Sequence, residues 1–486
     1  MSKFNQSNKG INMTTNKSGH SAYKMADKEK LVTAVLTTML GEPKYYGSTD
    51  SEIFKLATEC AASNPEFLSK LACYARNVAN LRSVSHLLTC IVAHDANKYT
   101  RVTVRNVVVR PDDVLEIMAC YKALYGKPFP NALKREVGEI MQGFNEYQLG
   151  KYNGNGKSMR FRDVLRITHP TPKNKEIEEL FSKVINDTLA TPYTWETELS
   201  ARGNTKEVWN ELIASGKLGY MAMLRNLKNM INAGADINPV LAVLGDEKAA
   251  QNSKQLPFRF YAAYKRLTRE GVMTREIRNT LDKALMASAH NLPTLKGRTL
   301  IAIDVSGSMG SPLSRNSEMQ CADVAKVIGC MASRICEDAV VVYFSSSMYG
   351  KSGITVEHYG KHDSVIDSVE NAPRVLGGTD MSLPMLWAIN TDTANKPFDR
   401  IIYLSDNECN CGKSTVQRYV DQYKHMFNVN PWVHAVDMEG YGTQQFYGNR
   451  FNLIAGWSDS VLELINIAEQ GFGSIVDAVD RYEYKK

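Results

Sequence analysis

The run Thr299-Leu300-Ile301-Ala302-Ile303-Asp304-Val305-Ser306-Gly307-Ser308-Met309 turns abruptly from apolar to oxygen-rich. An apolar stretch that stops at a carboxylate, followed by two hydroxyls among small residues, predicts a buried parallel strand whose C-terminal end opens into a turn. Hard oxygens gathered at such an end suit a divalent cation, and Mg²⁺ needs only one or two carboxylates, a few hydroxyls and water to complete its octahedron. Two later segments supply further oxygens. Gly377-Gly378-Thr379-Asp380 puts a hydroxyl on a flexible loop, and Arg400-Ile401-Ile402-Tyr403-Leu404-Ser405-Asp406 is a second apolar strand ending in a carboxylate. Asp304, Ser306, Ser308, Thr379 and Asp406 therefore form a candidate site for Mg²⁺ or Mn²⁺ at the C-terminal edge of one sheet, where open α/β folds bind ligands. The bland alternative is a degenerate site that packs without metal. A phosphatase-like aspartyl nucleophile fits less well, because Ser306 stands where a second carboxylate would act as general acid. Cys409 and Cys411 have no second Cys or His pair at zinc spacing.

These three segments resemble the metal-ion-dependent adhesion site of a von Willebrand factor A domain, and the chain from about Gly297 to the end resembles that domain. The resemblance implies that Ser306, Ser308 and Thr379 contact the metal while Asp304 and Asp406 hold it directly or through water. One coordination position is then left for a partner's carboxylate or another anionic oxygen.

A chain of 486 residues is long enough for two or three domains with full cores. Its charge is uneven: residues 1–300 carry 43 Lys and Arg against 29 Asp and Glu, whereas residues 301–486 carry 15 against 23. A basic half joined to an acidic half suggests that the first half meets an anionic polymer or surface. Nine cysteines without a paired framework point to a reducing compartment. No stretch approaches the roughly 20 apolar residues of a membrane span, and the N-terminus has no apolar signal core. A soluble, cytoplasmic monomer is the expectation. Residues 1–24, rich in Ser, Asn, Thr and Lys, are expected to be a mobile tail.

From about Met25 onward, amphipathic segments alternate with Gly, Pro or Asn breaks, and helices are predicted over 66–78, 84–94, 114–125, 131–141, 175–186, 205–214, 218–231 and 258–269. The run Val102-Thr103-Val104-Arg105-Asn106-Val107-Val108-Val109 reads as a strand by composition. Stacked helical hairpins are the natural fold for such a series. Several segments carry a second resemblance, to the TROVE module of the Ro autoantigen family. They are Leu256-Pro257-Phe258-Arg259-Phe260-Tyr261-Ala262-Ala263-Tyr264-Lys265-Arg266-Leu267, Asn131-Ala132-Leu133-Lys134-Arg135, Tyr147-Gln148-Leu149-Gly150-Lys151-Tyr152 and Tyr220-Met221-Ala222-Met223-Leu224-Arg225-Asn226-Leu227. In that family a TROVE module precedes an A domain, as in this chain, and Leu404-Ser405-Asp406-Asn407-Glu408 resembles its version of the metal strand. The resemblance implies an α plus α/β architecture: HEAT-like helical repeats over residues 25–295, bent into a ring that an A domain over residues 296–486 closes. It implies binding of small structured non-coding RNAs, the Y RNAs, on the outer surface, and of single-stranded 3′ RNA ends in the central hole.

By the same resemblance His169, in Arg162-Asp163-Val164-Leu165-Arg166-Ile167-Thr168-His169-Pro170, lies on the RNA face, and Lys151 matches a basic RNA-contact position. Where the family tends to have arginine four residues later this chain has Asn155, a departure that Lys157 and Arg160 can offset. Lys and Arg neutralise phosphates, while imidazole can hydrogen-bond to phosphate or 2′-hydroxyl and stack on a base. The alternative for His169 is an N-terminal cap or loop residue beside Pro170. Lys265, Arg266, Arg269, Arg275 and Arg278 form a basic cluster that suits phosphate contact or a solvated helix face. No acidic cluster or His pair in the basic half has catalytic spacing, so a non-catalytic RNA scaffold or quality-control factor is expected, with a protein partner possible at the A-domain metal site. The competing function class is an A-domain interaction module of a metal-dependent protein machine.

Overall fold

The computed structural model describes residues 13–15, 20–24, 26–36, 52–153, 158–255, 257–289, 294–312, 319–346, 353–392, 396–410, 416–439, 443–448, 450–455, 460–469 and 475–485. Lys157, Asn155 and Cys411 lie outside the described residues. The chain divides into two compact units, one of Met1–Gly41 and Leu244–Asp477, the other of Glu42–Val243 and Ala478–Lys486.

The second unit is helical. Its helices include Pro65–Asn77, Ser83–Asp95, Thr100–Val107, Pro111–Tyr125, Asn131–Met141, Glu146–Tyr152, Phe161–Thr168, Lys175–Ile185, Trp195–Arg202, Lys206–Ala214 and Tyr220–Asn232. Local chemistry starts them: Pro65 and Pro111 occupy first turns, where a missing N–H costs nothing, and the Asn174, Thr194 and Thr205 side chains accept hydrogen bonds from first-turn N–H groups. The run expected to be a strand is instead the helix Thr100–Val107. Thr100, Thr103, Val104 and Val107 repeat at helical spacing and are buried. Arg101 and Arg105, one turn apart, both reach the buried Glu136, at 2.9 and 2.8 Å. Packing of that face overrides β-branched propensity.

The final residues of the chain belong to this helical unit. The Tyr484 hydroxyl lies 2.9 Å from Ser69 Oγ, Asn77 Nδ2 donates to the Tyr482 hydroxyl at 3.2 Å, and Lys485 N donates to Asn106 Oδ1 at 2.7 Å.

The first unit is built on a six-stranded sheet. Strands β1 (Met13–Thr15), β2 (Ser21–Lys24), β3 (Leu295–Asp304), β4 (Cys336–Phe344), β5 (Ile354–Glu357), β6 (Arg400–Ser405), β7 (Trp432–Asp437), β8 (Thr443–Gln444) and β9 (Phe451–Ala455) form two sheets. The larger has the order β5-β4-β3-β6-β7-β9, parallel except for β5 at one edge. Leu300, Ala302, Phe344 and Tyr403 pack on one face with Met385, Val420 and Tyr423 from the helices Leu383–Asn390 and Gln417–Phe427. Helix Cys321–Ile335 covers the other face, where a Cβ at Gly329 would lie 2.3 Å from Ile303 Cδ1, so glycine permits the close approach. The mobile tail expected at the N-terminus is corrected in part: β1 and β2 form an antiparallel pair, and β2 also pairs with β8. Ladder hydrogen bonds to a distant strand supply what the polar composition could not.

Candidate metal centre and nucleic-acid interface

Parallel pairing sets the acidic site. Ile303 lies opposite Leu404, so β3 and β6 end side by side at Asp304 and Ser405. Asp304 is fully buried; its Oδ1 accepts from Ser306 N at 2.8 Å and its Oδ2 from Ser405 Oγ at 2.6 Å. Ser306 Oγ is 3.2 Å from Ser308 Oγ. The Thr379 loop is stitched to this turn by hydrogen bonds from Gly307 N to Gly377 O and from Leu376 N to Val305 O, both 2.8 Å. Asn410 clamps the loop from the far side, with its Oδ1 accepting from Thr379 N at 2.8 Å and its N donating to Thr379 O at 3.0 Å. A Cβ at Gly378 would lie 2.7 Å from Asn410 Oδ1, so the clamp needs glycine there. Asp406 is fully buried as well. Burial, and then the neighbouring Asp406 carboxylate, push Asp304 up to about 7, against the pull of the Ser306 and Ser405 hydrogen bonds.

These hydrogen bonds link Asp304, Ser306, Ser308 and the loop that carries Thr379, and Asp406 is near enough for its charge to act on Asp304. Two buried carboxylates side by side, with hydroxyls around them, repel one another unless positive charge is added, and that donor set suits a hard divalent cation. Ser405, Asn410 and Ser346, whose Oγ accepts from Gly378 N at 2.8 Å, position these groups and were not singled out from sequence. Ser405 lies within the apolar run that ends at Asp406; Asn410 and Ser346 carry no local signal. Among the described residues no group of three His, Cys, Asp or Glu side chains can hold a metal.

The residues expected to touch RNA fall into two groups. Lys151, at the end of Glu146–Tyr152, is exposed, and its Nζ lies 5.7 Å from the Tyr152 ring centroid. His169 is exposed too, but as a C-cap rather than an N-cap: its φ is +46° and its N donates to Leu165 O at 2.9 Å. That left-handed turn points the chain away from the helix axis and leaves the ring accessible. Arg266, Arg269 and Arg275 are exposed. The other described candidates are committed inside their own units. Lys265 Nζ pairs with Asp323 at 2.7 Å, Arg278 pairs with Asp367, and Arg160 pairs with Asp187. Lys265 and Arg278, with the hydrogen bond of the Tyr261 hydroxyl to Glu370 at 2.5 Å, anchor helices Pro257–Arg269 and Arg275–Ser288 to helices Cys321–Ile335 and Val365–Glu370. Within the basic cluster Arg266 and Arg275 turn outward, and Arg269, although exposed, pairs with Glu270 at 3.6 Å.

A helical module and an α/β module with buried carboxylates at the end of its central strands define a two-module protein. The TROVE domain model matches residues 1–191 and 187–276, and the Ro60 vWA domain model matches residues 298–465. The chain belongs to this TROVE-domain Ro family. A crystal structure of the Deinococcus radiodurans Ro (Rsr) protein matches with a TM-score of 0.61 at 18% identity, covering 91% of this chain and 100% of that one, which shows the shared fold. Among curated relatives, telomerase protein component 1 of Rattus norvegicus is 26% identical over 333 residues, covering 50% of this chain. RNA-binding protein RO60 of Caenorhabditis elegans is 26% identical over 239 residues, covering 47% of this chain. The aligned region spans 13% of the rat protein and 36% of the nematode one.

Proposed function

We propose that this Ro-family RNA-binding protein holds a small structured RNA of the Y RNA kind on the face of its helical unit that exposes Lys151 and His169, and acts by binding rather than catalysis. The observation that carries the reading is the TROVE match over residues 1–191 and 187–276 on a unit that leaves those two side chains accessible. Lys151 offers a point charge to phosphate and His169 a ring that can donate or stack. Single-stranded 3′ ends are a second ligand class, met by the exposed Arg266, Arg269 and Arg275. The role that follows is an RNA scaffold or quality-control factor in the cytoplasm. In the A domain, Asp304, Ser306, Ser308, Thr379 and Asp406 would hold Mg²⁺ or Mn²⁺, which when bound leaves a position for an anionic group of a protein partner. The buried carboxylate pair and its hydroxyls support that reading.

The test is direct. Ala substitutions at Lys151 and His169 should weaken a Y-like stem-loop more than an unstructured oligonucleotide, and loss of one phosphate contact should make the logarithmic salt slope shallower by about 0.7 to 0.9. Equal weakening of both ligands would mean a general charge effect, and no RNA affinity in the unaltered protein would refute the function.

A further inference from the structure

Beside Lys151 the helical unit contains a cavity of about 670 Å³, within the range of small-ligand pockets, roughly 300–1,000 Å³. Tyr147, Tyr193 and Trp195 line it together with Lys151 and Lys217, and Leu212, Leu218 and Ala222 complete the apolar part. Tyr147 and Tyr193 are 52% and 40% exposed, so both rings are accessible to a ligand. Lys217 Nζ lies 5.3 Å from the Tyr193 ring centroid.

The walls are preformed. Asn145 and Gln148 cap the start of helix Glu146–Tyr152 reciprocally, at 3.0 and 2.9 Å, fixing Tyr147 in its first turn. Thr194 sits between two of the aromatic residues and is pinned by Thr197, whose Oγ1 accepts from Thr194 N at 2.9 Å and donates to Pro192 O at 2.8 Å. Gly150 lets this segment lie directly on the helix, since a Cβ there would be 2.8 Å from Ala190 O.

We propose that this cavity takes one unpaired nucleotide of the bound RNA, with its base stacked on the tyrosines and its phosphate against Lys151 and Lys217. Stacking on aromatic rings beside cationic side chains is how unpaired strands are held without base pairing. Glu196, on the same lining, adds a preference. A carboxylate only accepts hydrogen bonds, and guanine alone among the four bases presents two adjacent donors, N1–H and N2–H₂, on its pairing edge. The polymer half of this inference rests on the RNA-binding reading; the nucleotide site does not.

The full chain should bind guanosine 5′-monophosphate about tenfold more tightly than either guanosine or uridine 5′-monophosphate in a calorimetric titration. Tyr193→Ala or Lys217→Gln should weaken it by about the same factor. Gly219→Phe is the blocking variant: Gly219 lines the cavity, has an ordinary φ of −67°, and a Cβ there meets nothing within 4 Å, so the side chain starts from open space, and unchanged circular dichroism checks that the fold is kept. It should abolish nucleotide binding and weaken the stem-loop RNA. No binding of the monophosphate by the unaltered chain overturns the site. Nucleotide binding with RNA affinity untouched by Gly219→Phe overturns its use by RNA. Nucleotide binding by a chain that binds no RNA at all refutes the proposed function and leaves the nucleotide site standing.

Discussion

Replacing Asp113 with Asn tests what holds the helical unit beneath the RNA-facing residues. Asp113 is fully buried, and its carboxylate is reached by Arg76 Nη2 at 3.1 Å, Arg82 Nε at 2.6 Å, His86 Nε2 at 3.0 Å, Val109 N at 3.0 Å and Arg110 N at 2.9 Å. It thereby ties helices Pro65–Asn77 and Ser83–Asp95 to the start of Pro111–Tyr125. Arg110 also lies 5.0 Å from the ring centroid of Tyr152, the residue after Lys151. Burial by itself would raise the acid's pKa, but hydrogen bonding from His86 and the charges of His86, Arg82 and Arg76 overcome it and hold Asp113 far below the usual carboxylate range. Burial holds His86 below its ordinary value, so at neutral pH the arginines alone supply the compensating charge and His86 adds its own only in acid. Removing one member of a buried ion pair costs about 3–5 kcal/mol. Arg82 keeps Asp112 at 2.6 Å, which puts the expected loss near the lower end, ~3 kcal/mol.

Hydrogen exchange of core amides in Ser83–Asp95 reads that loss without assuming that both units unfold together, and should accelerate by about a hundredfold at pH 7. The pH dependence follows from the sign of the shift. A carboxyl depressed in the folded state adds stability above its unfolded pKa of about 3.9 and loses it as pH falls towards the folded value. The gap between the two proteins should therefore close progressively below about pH 5. A gap under about 1 kcal/mol at pH 7, or one that stays constant down to about pH 3, would refute this account of the network.

Asp304→Ala combined with Ser306→Ala should abolish calorimetric Mg²⁺ or Mn²⁺ binding yet leave RNA affinity within about tenfold, roughly 1.4 kcal/mol; a larger loss in a folded double variant means that the sites are coupled. A duplex with a single-stranded 3′ extension should bind more tightly than its blunt counterpart at one fixed salt concentration, and Arg266→Glu with Arg269→Glu should erase most of the difference. Equal affinity of the unaltered protein for both RNAs excludes a strand site. Ending the chain after Arg481 removes the hydrogen bonds of Tyr482, Tyr484 and Lys485 to the helical unit. At ~1 kcal/mol each, the loss of these four should cost about 4 kcal/mol and raise exchange in Pro65–Asn77, whereas unchanged exchange there would show that the terminal residues contribute nothing.

The sequence by itself determined the elements whose signal is local. The apolar runs ending at Asp304 and Asp406 encode strands with carboxylates at one sheet edge, and the helical apolar spacing from Asn131 to Met141 encodes a helix with those bounds. The order of the two modules was legible through the family resemblance of their segments. Only the tertiary structure decided which charges remain available. Lys265 and Arg278 look alike with Arg266 and Arg275 in sequence, but they meet Asp323 and Asp367, 58 and 89 residues away. Nor did local pattern show that Tyr482 and Tyr484 return to helices some 400 residues earlier, or that Met13–Thr15 and Ser21–Lys24 find strand partners. Periodicity reports which face of an element is apolar. The partner of a charge or a strand edge depends on the three-dimensional packing of distant segments, which a local pattern does not carry.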